Sequence, residues 1–327
     1  MNYLYIFGNG FDMALGLRTS YPDFYKYYLE KPSENEIIAR LKESIGMQNN
    51  KTWADLEIGL GQFSLECPSV DAFLLCLNDI KDNLAKYLTE QEAGMVLHSG
   101  LDSFLHRPES CLEPLDSMRF DSFCSTYRRT YSSENRYNIV TLNYTKTTEK
   151  LLLSIDDKHI NSPFHIHGNI SNMVLGVNDE SQIAKLDFAK DLEFREEFSK
   201  PEYNAACRNA RNETFSRMIK DANIIVIYGA SMGLSDQKWW DAIGKRLMSN
   251  TVSVLYFPYD EKKDCVRHEN HRDRWIKSYF SELMKKLKIN DENVPSVEDR
   301  VFIGINKSFL KPIEVSVRAK VSLTSSK

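Results

Sequence analysis

The sequence predicts an α/β fold: a Rossmann-like, doubly wound and mostly parallel sheet that carries a large all-α insertion. Three observations lead there. Short apolar runs at residues 3–7 and 223–228 read as strands buried on both faces of a parallel sheet. Each is followed at once by a glycine turn and a helix-compatible segment, Gly8-Asn9-Gly10 in the first case and Gly229-Ala230-Ser231-Met232-Gly233 in the second. Between them, residues 32–129 repeat apolar side chains at helical spacing and contain no strand of the doubly wound type. The expected layout is an α/β domain assembled from residues 1–30 and 135–327, with residues 31–134 as an inserted helical subdomain.

Taken in order, strand 3–7 runs through its glycine turn into a helix from Met13. Pro68, Gly94, Gly100, Pro108 and Pro114 divide the helical block. Within it, Ile37, Ile38, Leu41 and Ile45 share one helix face, and Trp53, Leu56, Glu57, Leu60 and Phe63 repeat the spacing. Strands are expected at 137–142, 163–167 and 173–177, with a helix over 146–154 after the first. Residues 179–220 read as two or more charged amphipathic helices. After strand 223–228 come a helix through 236–248, a strand over 251–257 and a charged helix over 266–287. Late strands are expected at 300–303 and 313–321, and the Ser/Lys-rich end reads as frayed.

Composition excludes several function classes. The chain has 327 residues, 42% apolar and 27% charged, a globular balance with enough apolar material for a sizeable core. Forty-two Lys and Arg against 46 Asp and Glu leave a net charge of −4 and no electrostatic footprint for nucleic acid. The basic stretch 267–274 is interleaved with acids and reads as a solvated helix face. No apolar run approaches the ~20 residues that cross a bilayer, and the opening residues lack a basic leader and cleavage site, so a cytoplasmic location is expected. The cysteines at 67, 76, 111, 124, 207 and 265 form no Cys-x-x-Cys pair, which reads as reduced thiols without structural zinc.

Four segments place chemistry at strand ends, where open parallel sheets bind ligands. In Gly8-Asn9-Gly10-Phe11-Asp12 the glycines allow backbone approach to a phosphate, although Met13 stands where a third glycine would complete the dehydrogenase fingerprint. Asp12 either caps the following helix or bonds a ribose hydroxyl. Asn143, in Thr141-Leu142-Asn143-Tyr144-Thr145, offers a donor and an acceptor to a polar ligand, or caps a turn. His165 and His167 fall on one face of a strand, as two metal ligands lacking a third or with one as a general base near neutral pH. The small residues of 228–236 leave room for a ligand, with Ser231 to bind oxygen and Ser235 or Asp236 to cap the next helix.

The run from Tyr5 to Leu17, with Thr19-Ser20-Tyr21 and Phe24 behind it, resembles the bacteriophage abortive-infection AbiH family. Trp53-Ala54-Asp55-Leu56-Glu57, Leu142-Asn143-Tyr144-Thr145, His165-Ile166-His167-Gly168 and the segment Tyr228 to Asp236 continue the agreement. The order of motifs is also similar to that of sirtuin-like NAD-binding domains, with Gly8-Asn9-Gly10, Asn143, His167-Gly168 and Gly229-Ala230-Ser231 as counterparts. That similarity implies NAD as substrate or ligand. Gly8, Asn9, Gly10, Phe11, Gly229 and Ser231 would then form the nucleotide-binding set, with Asn143 on the ribose or attacking water and His167 as catalytic base. Asp12 completes the expected catalytic set by facing a cationic sugar. Leu142 and Thr145 depart from the sirtuin pattern, and the zinc-binding cysteine quartet is missing, which favours NAD hydrolysis over acyl-lysine removal.

The resemblances together imply an antiphage NAD glycohydrolase without metal. The alternatives are a non-catalytic nucleotide-binding sensor acting through a protein partner and, further off, a nucleic-acid-acting effector. Expected partners are NAD or a related nucleotide, a phage-derived or host protein as trigger, and further copies of the chain, with neither membrane nor nucleic acid. Trp53, Asp55 and Glu57 stand outside this assignment: two residues apart on a helix, the two acids face different directions.

Overall fold

β1 (Asn2–Phe7) lies mid-sheet, and each of its residues after Asn2 is buried. The other strands are β2 (His98–Ser99), β3 (Arg136–Thr141), β4 (Phe164–His165), β5 (Ile224–Tyr228), β6 (Ser253–Phe257), β7 (Val301–Ile303) and β8 (Lys311–Pro312). They belong to a computed structural model that describes residues 1–47, 51–130, 134–249, 251–259, 269–305 and 309–313. Six strands form one sheet in the order β4-β3-β1-β5-β6-β7, and every neighbouring pair is parallel. Counted by appearance in that sheet, the order is 3-2-1-4-5-6, the Rossmann-like doubly wound topology. The order reverses between β1 and β5, which opens a crevice at their carboxyl ends.

Side-chain alternation explains why these runs are apolar throughout. Tyr3, Tyr5 and Phe7 face one core with Val226, Leu255 and Phe302. Leu4 and Ile6 face the other with Ile225, Ile227 and Val254. Each large aliphatic side chain withdrawn from water contributes roughly 1.5–3 kcal/mol. Helices Arg211–Asp221, Gln237–Met248 and Glu269–Lys286 cover the second face through Phe215, Trp240 and Leu283. The first face is covered by Leu101, Phe104 and Leu105 of helix Leu101–His106, by Phe120 and Cys124 of helix Pro114–Thr130, and by Leu151. The Tyr5 hydroxyl ties strand to cover by donating to the Leu105 carbonyl at 2.6 Å.

A third core belongs to a helical layer. Helices Tyr21–Leu29, Glu36–Gly46, Leu56–Phe63 and Val70–Ala93 meet residues that return from 173–198. Phe73 lies 4.7 Å from the Phe194 ring and 4.9 Å from that of Phe198. These cores divide the chain differently from the 31–134 boundary drawn from sequence: residues 101–124 cover the sheet, while 173–198 join the helical layer. Helical periodicity reports which side of a helix is apolar, and it does not say which surface that side meets.

Two further expectations change. Strand 163–167 stops at His165, because 166–167 turn and Gly168 takes φ +73°, where a Cβ would stand 2.1 Å from the Asn172 carbonyl oxygen. Residues 173–177 form no sheet strand; Val177 makes only an isolated bridge to Ser199, and the apolar run is buried in the helical core. The charged helix is described as Glu269–Lys286. Its expected start at 266–268, with Arg267, His268 and Cys265, lies outside the described residues, as do residues 314–321 of the last expected strand. Lys311 and Pro312 pair antiparallel with β2. Among the described residues no helix is long and apolar enough to cross a membrane.

Candidate functional site

The loops that leave β1, β3, β4, β5 and β6 line one cavity of about 840 Å³, through Gly8, Asn143, His167, Gly229 and Pro258. The helical layer supplies the opposite wall, including Tyr21, Asp55, Glu57 and Leu88. The volume falls in the upper part of the ~300–1,000 Å³ range of small-molecule and cofactor sites.

The glycine turns exist because two loops cross in contact. Gly8 N–H donates to the Tyr228 carbonyl at 2.9 Å, and Gly10 N–H donates to the Gly229 carbonyl at 2.8 Å. A Cβ on Gly10 would stand 2.7 Å from Gly229 Cα, and Gly229 itself holds φ +64°. Both glycines and Asn9 line the cavity, with the Asn9 side chain clamped to Thr19. Ser231 lines it with an exposed side chain. Phe11 does not: it stacks on Phe7 at 4.5 Å inside the sheet core.

Asp12 is buried and fully engaged. Its two oxygens accept the hydroxyls of Thr145 and Thr147, each at 2.6 Å, which joins the first helix to the loop after β3. Gly8, not Asp12, is the N-cap of helix Asn9–Ala14. Asp12 lines the cavity with both oxygens held by hydroxyls, so it also brackets the first helix to the loop after β3. Burial pushes the Asp12 carboxyl up to about 6, against the pull of the two hydroxyls and the Asn143 amide. A carboxyl raised from 3.8 stabilises the fold most below that value and loses the contribution as pH rises through about 6. Relative to the parent, Asp12→Asn should thus gain stability between about pH 4 and pH 7, by roughly 2–3 kcal/mol. Urea unfolding at the two pH values checks this, and parallel pH dependences would contradict it.

Asn143 is buried, and its Nδ2 donates to the Gly8 carbonyl at 3.1 Å, holding the loops of β1 and β3 in register. The histidine pair divides. His165 approaches the Asn143 carbonyl through Nδ1 at 3.0 Å and Glu149 through Nε2 at 2.6 Å, so both ring nitrogens are occupied. His167, two residues beyond, reaches Asp236 through Nε2 at 2.9 Å. Among the described residues no group of three or more His, Cys, Asp and Glu is placed to hold a metal ion.

Asp236 opens a buried ionic chain. Its Oδ1 accepts from Lys200 Nζ at 3.1 Å, and Lys200 also reaches Glu57 Oε2 at 2.9 Å with its side chain only 3% exposed. Burial opposes ionisation of Asp236, but its interactions with His167 and Lys200, hydrogen bonds from both included, outweigh it and hold the carboxyl well below the usual range. The same balance raises Lys200, where Asp236 and Glu57 outweigh burial. Glu57 is pushed up, by burial first and by the neighbouring Asp236 and Asp55. Asp236 stands at the N-cap of helix Gln237–Met248, one of the two residues expected there, but its side chain makes no capping hydrogen bond.

Sequence reasoning set Glu57 aside and missed Lys200. Asp55 is the N-cap of helix Leu56–Phe63, accepting from the Glu57 and Ile58 amides at 3.1 and 3.2 Å. It precedes the helix, so helical spacing did not govern the pair, and both acids line the cavity. Trp53 is buried beneath them against Gly59.

Topology, switch-point cavity and glycine turns define a Rossmann-like, doubly wound α/β protein with a helical layer over its crevice. The family described as Bacteriophage abortive infection AbiH matches residues 4–259, a span holding every strand-end loop of the cavity. The chain belongs to the AbiH family, and its role is in abortive infection, a defence against bacteriophage. Comparison with curated proteins finds no match.

Proposed function

We propose that the protein acts in abortive infection by binding NAD in the switch-point cavity and hydrolysing its nicotinamide glycosidic bond. The observation that carries this reading is convergence: His167, Asn143 and the turns at 8–10 and 229–231 line one cavity although they lie far apart in the chain. The order of these motifs, similar to that of sirtuin-like domains, is what points to NAD among nucleotides.

The residues suit the chemistry. Nicotinamide departs as a neutral molecule with the electron pair of the C1′–N bond, so no general acid is required, and the ribose becomes oxocarbenium-like. Water oxygen bonds to C1′ and passes a proton to His167, which returns it to solvent; the products are nicotinamide, ADP-ribose and a proton. Asn143 keeps its side-chain oxygen to orient the water or a ribose hydroxyl. The glycine amides at 8, 10 and 229 are bonded to carbonyls, so what the turns offer the pyrophosphate is side-chain-free room for close approach and the exposed Ser231.

The test is to incubate the purified protein with NAD, alone and with lysate from phage-infected cells. Nicotinamide and ADP-ribose are then measured by chromatography. Equimolar release of both in at least one arm is expected. Calorimetric binding without release in either arm would favour the sensor reading, and no binding at all would overturn both.

A further inference from the structure

We propose that Asp236 is the positioning residue of this site: it takes the Nε2 proton of His167 in a hydrogen bond and so leaves Nδ1 as the proton acceptor on the cavity side. The inference rests on the reading of His167 as the base. Asp236 Oδ2 lies 2.9 Å from His167 Nε2, while Oδ1 accepts from Lys200 Nζ and Asn178 Nδ2, both at 3.1 Å. An ionised carboxylate has no proton to give. The shared hydrogen therefore belongs to Nε2, and in the neutral ring the lone pair stands on Nδ1. His167 lines the cavity, and Nδ1 is neither bonded to a described residue nor among the sealed, unpartnered atoms.

The surroundings leave the ring little freedom. The His167 carbonyl accepts the Val174 amide at 2.8 Å, and the chain turns immediately afterwards at Gly168. Behind Asp236, Lys200 is fixed by Glu57, whose Oε1 accepts the Gly176 amide at 3.3 Å. Glu57 and Gly176 belong to segments buried with the helical layer. The orientation of the base is thus tied to how that layer sits on the sheet loops. His165 cannot substitute, since both of its nitrogens are occupied.

Asp236→Asn gives a directional test. Two N–H donors face the Oδ1 position, so the amide oxygen stays there and the amide nitrogen takes the place of Oδ2. That nitrogen donates to Nε2, the ring proton moves to Nδ1, and the cavity loses its acceptor. Proton–nitrogen NMR of the histidine side chains in the full chain, at about pH 8, reads the tautomer, with His167 assigned by loss of its signals in His167→Ala. The parent is expected as the Nε2–H form and Asp236→Asn as the Nδ1–H form, with nicotinamide release lowered about 100-fold or more. A parent ring protonated on Nδ1 would overturn the proposal without any variant, and so would an unchanged tautomer in Asp236→Asn. A tautomer switch in a protein that never turns over NAD would uphold the positioning role and count against the NAD reading instead.

Discussion

His167→Ala is expected to lower nicotinamide release from NAD by about 10²–10⁴-fold, the usual contribution of a positioned general base. The fold should survive, because the carboxylate that loses the ring keeps other partners. Asp236 keeps Lys200 and Asn178 at its other oxygen, and the vacated volume opens onto the cavity where water can enter. The variant should therefore melt close to the parent and still bind ADP-ribose by calorimetry. Turnover equal to the parent's would remove His167 from the chemistry. Loss of turnover together with loss of folding would place the residue in the architecture instead.

Lys200→Met is expected to destabilise the fold by about 3–5 kcal/mol, since breaking a buried pair leaves its partners uncompensated. Glu57 and Asp236 would then be two buried carboxylates with the single cation between them removed. Glu57 already holds its proton more tightly than a free glutamate, and without Lys200 it must do so more strongly. A folded-state carboxyl pKa above the unfolded value stabilises at low pH and loses that contribution as pH rises through it. The cost should accordingly be smallest near pH 5 and grow toward pH 8. Adding Glu57→Gln should recover most of it. Urea unfolding of the single and double variants reads all three effects, and a loss under about 1 kcal/mol, or no recovery in the double variant, would contradict the picture of a buried ionic chain.

How much of this was legible in the sequence depends on whether a feature is local. β1, β5 and β6 are readable because strands buried on both faces are apolar at almost every position, and the turns behind β1 and β5 because only glycine tolerates their contact. Residues 173–177 carry the same apolar signal but enter a helical core, and no local pattern separates the two cases. His167 and Asn143 could be placed at the crevice because they end predicted strands. Lys200 could not: in a segment dense with charge, a buried lysine looks like a solvated one until its carboxylate partners, 143 and 36 residues away, are seen around it. Glu57 lay within a motif shared with the AbiH family, but its bearing on the cavity depends on Asp55 ending the preceding loop.

The proposed function requires that distant strand-end loops build one crevice in which NAD is held with its nicotinamide ribose at residue 167. A crystal structure of His167→Ala grown with NAD tests that most directly. The nicotinamide ribose is expected beside position 167 and Asn143, with the pyrophosphate along the turns at 8–10 and 229–231. NAD bound elsewhere on the molecule, or an empty crevice at saturating NAD, would contradict it.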